Sequence, residues 1–253
     1  MTVVLVHGNP ETDVVWDPLV EALTARGVDD VVRLSPPGFG APTPAAWPAT
    51  PAAYVRWLLD QLTAMDGPID LVGHDWGAGH VLGLLAEQPS TVRSWAADCL
   101  GLLHPDYVWH DMAQLWQTPD AGEEAVAAML AVSAEDRAEA YVGLGLPQSV
   151  ALPMAAATDE EMGRCILDLY RAAAQQALVE LGQRLLARSD LPPGLAIVAT
   201  DDAYVAGDLG AEVAARLGAD QLVLDGNGHW WMTEDPATAA QGLIDFWSGL
   251  PSV

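Results

Sequence analysis

Of the 253 residues 51% are hydrophobic and 18% charged, which suits one globular domain with a sizeable core and excludes a disordered chain. Thirty-five acidic residues against ten basic ones, all arginine, give a formal net charge of -25. A surface this negative repels phosphate backbones and anionic headgroups, which argues against nucleic acid and membrane surfaces as partners.

Short apolar runs alternate with amphipathic segments over the first hundred positions. The pattern predicts strands at residues 3–6, 31–34, 69–72 and 95–100, and helices at 16–25, 52–65 and 78–88. Nearly continuous apolar strands that alternate with helices are typical of a parallel sheet covered on both faces.

The pattern becomes helical from about residue 104 to 189. Helices are predicted at 123–132, 134–144 and 159–188, with breaks at 145–147 and 152–153. Alternation then resumes, with strands at 195–200 and 221–224 and helices at 207–217 and 236–247. We therefore predict an α/β core formed by residues 1–103 and 190–253, with residues 104–189 inserted as an all-helical cap over the carboxyl edge of the sheet.

The sequence Gly-His-Asp-Trp-Gly at positions 73–77 lies directly between a predicted strand and a predicted helix. Glycines on both sides of a central residue permit a tight turn that projects the middle side chain, here Asp75, at the edge of the sheet. The helix amino terminus also favours a negative charge at this point. The simpler interpretation is that Asp75 only caps the helix.

Two further segments extend this pattern. The sequence His-Gly-Asn-Pro at positions 7–10 follows the first strand, where a backbone N–H can stabilise an oxyanion, and Asn9 is the candidate because Pro10 has no N–H. Asp201 and Asp202 follow the strand at 195–200, and His229 follows the last strand. The chain order is therefore nucleophile, acid, histidine, although a lone histidine here would by default be a core residue.

With these segments in this order, the chain resembles the α/β-hydrolase superfamily over essentially its whole length. An aspartate at the elbow resembles the branch that contains epoxide hydrolases and haloalkane dehalogenases. The resemblance implies that Asp75 displaces a leaving group at a saturated carbon and forms an alkyl ester. Water activated by His229 then hydrolyses the ester, with the backbone N–H groups of Asn9 and Trp76 holding the oxyanion.

The resemblance leaves the acid of the triad open. Asp202 is the first choice, because the run from Asp202 to Val205 resembles the family's Asp-Pro-aromatic-Val sequence. Asp201 is the neighbouring alternative. Asp98, predicted to lie at the end of the fourth strand, matches the position that some dehalogenases use.

The resemblance implies different leaving-group donors in the two enzyme classes. Asn9 and Trp76 occupy the positions of the dehalogenase halide-binding pair, and Tyr170 resembles one of the two cap tyrosines that protonate an epoxide oxygen. The position of the second tyrosine holds Leu115, so ring opening depends on whether Tyr107 or Tyr141 reaches the site. Haloacid substrates are disfavoured, because Trp76 and Gly79 stand where fluoroacetate dehalogenases carry arginines.

We predict an epoxide hydrolase acting on neutral, mostly apolar small molecules, with a haloalkane dehalogenase as the alternative. A non-catalytic ligand-binding protein of the same fold and a carboxylesterase are further alternatives.

No cofactor is expected, and no metal site, because the spacing of His104 and His110 lacks a ligand pattern. Cys99 and Cys165 are expected to be buried thiols. The short apolar run at residues 3–6 does not resemble a signal peptide and no stretch is long enough to span a membrane, so we expect a cytoplasmic protein.

Overall fold

The computed structural model describes residues 2–87, 91–173, 175–205 and 207–251. Within these residues, six strands form one parallel sheet in the order β2-β1-β3-β4-β5-β6. The strands are β1 (Thr2–Val6), β2 (Val31–Leu34), β3 (Ile69–Gly73), β4 (Val92–Ala97), β5 (Gly194–Ala199) and β6 (Asp220–Leu224). The sheet confirms the predicted parallel α/β architecture.

Helices cover both faces of the sheet and fill the long segment between β4 and β5. In chain order they are α1 (Asp17–Thr24), α2 (Pro51–Thr63), α3 (Trp76–Ala86), α4 (Asp111–Gln117), α5 (Ala121–Ala131), α6 (Ala134–Gly143), α7 (Gln148–Ala156), α8 (Glu160–Ala172), α9 (Gln175–Leu186), α10 (Gly207–Leu217), α11 (Trp231–Glu234) and α12 (Pro236–Gly249). Two 3₁₀ helices, Asp13–Trp16 and Leu100–Leu103, complete the regular structure of the described residues.

The four inner strands, β1, β3, β4 and β5, are mostly buried on both faces, because successive side chains point to opposite sides of the sheet and helices cover both sides. In β1, Leu5 packs in one core cluster with residues of α1 and α12, whereas Val4 and Val6 pack in a second cluster with residues of α2 and α3. The core therefore has two layers that hold the carboxyl ends of the strands in fixed positions.

The fourth strand differs from the prediction at both ends. It begins at Val92 and ends at Ala97, whereas residues 95–100 were predicted. Cys99 has a left-handed backbone conformation (φ 54°, ψ 22°), and the chain continues as the 3₁₀ helix Leu100–Leu103. The apolar run continues through this turn, so hydrophobicity alone does not mark the end of the strand.

The helical segment differs from the prediction at two points. One helix continues through a predicted break, and one predicted helix is divided into two. Pro153 lies inside α7, so the predicted break at residues 152–153 is wrong. Pro153 falls in the second turn of the helix, where its missing N–H removes only one intrahelical bond. Residues 159–188 form two helices, α8 and α9, and Ala173 between them has a non-helical backbone (φ -97°, ψ 61°). The predicted end of the helix at 78–88 lies outside the described residues.

The last helix of this segment packs on the core. A Cβ on Gly182 of α9 would lie 2.9 Å from the carbonyl oxygen of Leu103, and Leu185 belongs to the same core cluster as residues of β3. The cap boundaries at 104 and 189 stay a prediction. Among the described helices, none combines the length and the apolar character that crossing a bilayer demands.

Candidate active site

Asp75 lies at a sharp turn between β3 and α3 and has a strained backbone conformation (φ 50°, ψ -121°). The turn depends on its two glycines. A Cβ on Gly77 would lie 2.1 Å from the carbonyl oxygen of Val6, and one on Gly73 would lie 2.7 Å from the Cα of Ala78. Only glycine permits these approaches, and the turn presents Asp75 at the carboxyl edge of the sheet.

The loop after β1 contacts the Asp75 carboxylate. The backbone N–H of Asn9 donates to Oδ2 of Asp75 at 3.0 Å, and a Cβ on Gly8 would lie 2.2 Å from the same oxygen. Trp76 is the first residue of α3, so its backbone N–H has no partner within the helix. Oδ1 of Asp75 accepts no hydrogen bond from any residue that the structure describes. One carboxylate oxygen is therefore held and the other is available for reaction.

His229 and Asp202 form a hydrogen-bonded pair. Nδ1 of His229 lies 2.9 Å from Oδ2 of Asp202, while Oδ1 of Asp202 accepts the backbone N–H groups of Tyr204 (2.7 Å) and Val205 (3.2 Å). Burial opposes ionisation of Asp202, but the hydrogen bond and charge of His229 hold the pKa of this carboxyl below its ordinary value. Burial also acts to lower the pKa of His229, but the hydrogen bond to Asp202 outweighs burial, so the pKa of His229 lies above its ordinary value. The pair can orient an imidazole and stabilise its charged form.

The two alternative acids occupy other environments. Asp201 is exposed, and its carboxylate accepts the Thr200 hydroxyl at 3.3 Å. Asp98 lies beneath the elbow: its Oδ1 accepts the backbone N–H of Asp75 at 2.8 Å, and its Oδ2 contacts Nδ1 of His74 at 2.5 Å. Of the three candidates, the structure brings only Asp202 to His229.

A second buried network, which the sequence analysis did not identify, supports the elbow from below. Nε2 of His74 lies 3.0 Å from Oε1 of Glu11, so His74 is held between Glu11 and Asp98. Glu11 also accepts the indole N–H of Trp230 at 2.6 Å, and Asp98 accepts that of Trp231 at 2.6 Å. Their positions in the sequence could have indicated both residues, because Glu11 directly follows the His-Gly-Asn-Pro segment and His74 directly precedes Asp75.

Charge balance in this network sets three pKa values. Burial disfavours the charged form of His74, but the carboxylates of Asp98 and Glu11 raise its pKa well above the ordinary value. Burial also opposes ionisation of Glu11, yet the charge and hydrogen bond of His74 lower its pKa to about 2. For Asp75, burial outweighs the charges of His229 and His74 and raises the pKa to about 6. Asp75 is thus a poorly solvated carboxylate next to a charged, hydrogen-bonded network.

Asp75 and His229 line one cavity of about 840 Å³. Its walls are mainly apolar and aromatic, and they come from the loops after the strands and from α4, α5, α6 and α8. The lining residues are Asn9, Pro10, Asp75, Leu102, Tyr107, Trp109, His110, Asp111, Met112, Trp116, Met129, Val132, Asp136, Arg137, Ala140, Tyr141, Leu144, Tyr170, Ala203, Tyr204, Val205, His229 and Trp230. A volume of this size fits an organic molecule of drug-like dimensions.

Tyr170 lies on the aromatic wall of this cavity, beside the nucleophile candidate. Its ring centroid is 5.3 Å from that of Trp76, 4.9 Å from that of Trp116 and 5.4 Å from that of Trp109. Burial and the charge of Asp75 raise the pKa of Tyr170 well above the ordinary value, and a hydrogen bond with the Trp76 side chain opposes the rise. Tyr170 therefore stays protonated next to Asp75.

Tyr107 and Tyr141 are the two tyrosines on which ring opening was predicted to depend. Leu115 does not line the cavity, and 37% of its surface is exposed, whereas Tyr107 and Tyr141 both line it. The Tyr107 hydroxyl donates to the carbonyl oxygen of Tyr204 at 3.5 Å, and the Tyr141 hydroxyl is buried with no hydrogen-bond partner among the described residues. Tyr204, which the sequence analysis did not propose as a site residue, packs its ring 4.7 Å from that of His229.

The histidines after β4 have structural partners. Nδ1 of His110 accepts the backbone N–H of Ala113 and caps α4, and Nδ1 of His104 accepts the backbone N–H of Asp106. The described residues contain two groups with ligand atoms close enough to share a metal ion, Glu11-His74-His229 and Cys99-Asp202-His229, and neither includes His104 or His110. Cys99 and Cys165 are buried free thiols, as expected.

A turn with Asp75 at its centre, an orienting Asp202 and a base candidate after the last strand define a site at the carboxyl edge of a doubly covered parallel sheet. The chain belongs to the alpha/beta hydrolase family, whose model matches residues 3–241. No curated protein matches the sequence. Family membership supports a hydrolase acting on a small molecule.

Solved structures share the fold at low sequence identity. A haloalkane dehalogenase from Bradyrhizobium elkani is 20% identical with a TM-score of 0.70, and the match covers 98% of this chain and 91% of that one. A lipase-esterase related protein from Clostridium acetobutylicum is 18% identical (TM-score 0.72, coverage 97% and 93%). A bromoperoxidase from Bacillus anthracis is 17% identical (TM-score 0.70, coverage 98% and 91%). Since these relatives carry different activities on one fold, the activity must be argued from the site.

Proposed function

We propose that this protein is a hydrolase that forms an alkyl ester on Asp75 and that its substrates are neutral, mostly apolar epoxides. The observation that carries the proposal is the shared cavity, which is lined by Asp75, Tyr170 and His229, while Nδ1 of His229 contacts Asp202 behind it. A carboxylate is a suitable nucleophile for a saturated carbon, and the resulting ester needs the histidine for hydrolysis.

In the first step, Oδ1 of Asp75 attacks an epoxide carbon and the carbon–oxygen bond breaks. The electron pair moves to the ring oxygen, which takes a proton from Tyr170. Tyr107 is the second candidate donor, because it lies on the same wall and its pKa, which burial raises most, is also raised by the charge of Asp75. Both hydroxyls retain their protons until the leaving oxygen develops negative charge.

In the second step, His229 removes a proton from water, which attacks the Cγ atom of Asp75. The negative charge then develops on Oδ2, the oxygen that the Asn9 N–H already contacts at 3.0 Å, and the Trp76 N–H is the second donor. Collapse of this intermediate breaks the bond between Cγ and the ester oxygen, which takes the remaining proton of the attacking water, so that a diol leaves and Asp75 is restored as a carboxylate. The proton on His229 then returns through solvent to Tyr170, which gave up its own proton in the first step. Asp202 stabilises the imidazolium that forms on His229.

The haloalkane dehalogenase remains the second candidate because of one observation. Asn9 lines the cavity and its side-chain amide has no hydrogen-bond partner among the described residues, so this amide is the candidate donor to a halide. Trp76 favours the epoxide, because its ring packs edge-on against that of Tyr170 and Trp76 is not among the described residues that line the cavity.

Matched epoxides and bromoalkanes with the same carbon skeleton separate these functions. We expect diol formation from the epoxides, little bromide release, and loss of ring opening in Tyr170→Phe by about 10²-fold, because one proton donor is removed. Tyr54→Phe is the control, since Tyr54 is a buried tyrosine outside the cavity whose hydroxyl bonds Pro37. Bromide release without diol would replace the proposal with dehalogenation, and binding without turnover of either substrate would favour a non-catalytic protein. A cytoplasmic location and the absence of a cofactor stay predictions.

A further inference from the structure

The thiol of Cys99 lies beside the His229–Asp202 pair. A sulfur, a carboxylate oxygen and an imidazole nitrogen, one from each of the three residues, all lie within 4.8 Å of one another. Cys99 is 7% exposed, and the side chains of Asp202 and His229 are each 8% exposed. The proposed reaction uses the pair and leaves the thiol without a role.

Two of these ligands are held in place by the backbone around them. Cys99 lies in the turn between β4 and the 3₁₀ helix Leu100–Leu103. Oδ1 of Asp202 accepts the backbone N–H groups of Tyr204 and Val205, which leaves Oδ2 as the oxygen next to His229. A ligand set that is already positioned loses little conformational freedom when it binds a metal.

A small cavity adjoins this ligand set. Its volume is about 20 Å³, and both Cys99 and Asp202 line it, together with residues at the end of β5. A space of this size holds one water molecule or one metal ion and excludes an organic ligand. Val205 lines this cavity and also the large one, so the small cavity borders the proposed substrate site.

The types of ligand atom select the class of metal. Sulfur, nitrogen and oxygen ligands together suit Zn²⁺ and similar thiophilic cations, whereas Mg²⁺ and Ca²⁺ bind oxygen ligands. A thiolate and a carboxylate balance the two charges of such a cation, and the chain's net charge of -25 attracts cations in general. The other buried group, Glu11-His74-His229, fits a metal less well, because carboxylates contact both ring nitrogens of His74.

We infer that Cys99, Asp202 and His229 bind a thiophilic divalent cation such as Zn²⁺, and that the bound metal inhibits the hydrolase. The thiol releases its proton to solvent as the metal–sulfur bond forms, and water supplies the fourth ligand. Coordination through Nδ1 of His229 replaces the hydrogen bond to Asp202 and leaves the ring proton on Nε2. Coordination through Nε2 instead occupies the lone pair at that nitrogen.

In both cases His229 can no longer take a proton from water. The metal is therefore an inhibitor and not a cofactor. The inhibition rests on the proposed function, whereas the binding of the metal does not.

Cobalt binding tests the site without turnover, because Co²⁺ replaces Zn²⁺ in such sites and a thiolate–cobalt bond absorbs in the near ultraviolet. We expect this charge-transfer band in the wild type and in Cys165→Ser, and its loss in Cys99→Ser. Cys165→Ser is the matched control, since the chain has only two cysteines and Cys165 belongs to neither ligand group of the described residues. In calorimetry, Cys99→Ser should weaken the Kd for Zn²⁺ by at least about tenfold.

A band that survives in Cys99→Ser or disappears in Cys165→Ser would overturn the assignment. Zn²⁺ that binds the wild type no tighter than Mg²⁺ does would also overturn it, and this measurement needs no variant. If Cys99→Ser does not fold, the spectrum of Cys165→Ser decides, because Cys99 is then the only thiol in the chain.

Single-turnover kinetics test the inhibition separately. Zn²⁺ should slow hydrolysis of the ester in the wild type and in Cys165→Ser at the concentrations at which it binds. Metal that binds through Cys99 and leaves this rate unchanged would overturn the inhibitory role. If cobalt binds as expected and no epoxide reacts, the proposed function fails and the metal site stands.

Discussion

Replacing Asp75 with asparagine is expected to stabilise the protein at neutral pH while it removes the nucleophile. Burial raises the pKa of Asp75 from 3.8 to about 6, a shift of about two units. At about 1.4 kcal/mol per unit, ionising this carboxyl in the folded state costs up to about 3 kcal/mol. Asp75 is partly exposed to the cavity, so we expect Asp75→Asn to gain about 1–3 kcal/mol in the free energy of unfolding at pH 7.

The sign of the pH dependence makes this prediction specific. A carboxyl whose pKa is higher in the folded than in the unfolded state destabilises the folded protein as pH rises. For Asp75 this loss of stability develops between the unfolded pKa of 3.8 and the folded pKa of about 6. The gain in the free energy of unfolding of Asp75→Asn, measured by urea denaturation, should therefore reach its full size above pH 6 and vanish near pH 4. Asp66→Asn is the control, because Asp66 is exposed and the variant removes the same charge from a chain of net charge -25. No gain over this control at pH 7, or an equal gain at both pH values, would refute the argument.

His74→Gln should lower the free energy of unfolding by about 3–5 kcal/mol in urea titrations, because two buried carboxylates lose their counter-charge. A loss below about 1 kcal/mol would contradict a charged His74. Asp202→Asn should slow hydrolysis of the ester by about 10⁴-fold in single-turnover kinetics, whereas Asp201→Asn should stay near the wild-type rate; equal effects would leave the acid unassigned. The rate of ester formation should fall as pH drops below about 6, where Asp75 becomes protonated, and a pH-independent rate down to pH 4 would argue against its role as nucleophile.

The parallel sheet and the elbow were predictable because their signals are local. Apolar strand runs, the glycines around Asp75 and the polar residues after each strand all lie within a few positions of the features that they specify. Since parallel strands share one carboxyl edge, the order of these segments along the chain was enough to place Asp75, Asn9 and His229 together. The ends of β4 and of α8 were not predictable, because apolar and helical patterns continue through both turns.

The buried network and the cavity walls depend on contacts between distant segments. Glu11 meets Trp230 although 219 positions separate them, and no spacing rule indicates that contact. Nor could the sequence separate Tyr107 from Tyr141, because the segment before α4 and helix α6 both have to be placed against the core before either side chain can be assigned to a wall. Periodicity predicts which face of a helix is apolar but not which part of the core it meets.

The most direct test of covalent chemistry at Asp75 is the mass of the His229→Gln protein after mixing with a reactive epoxide. This variant keeps the nucleophile and loses the base, so the ester should accumulate to nearly one adduct per chain and map to the peptide that contains Asp75. The double variant Asp75→Asn, His229→Gln should stay unmodified. An unmodified His229→Gln protein across epoxides that bind in the cavity, or an adduct on another residue, would contradict the account.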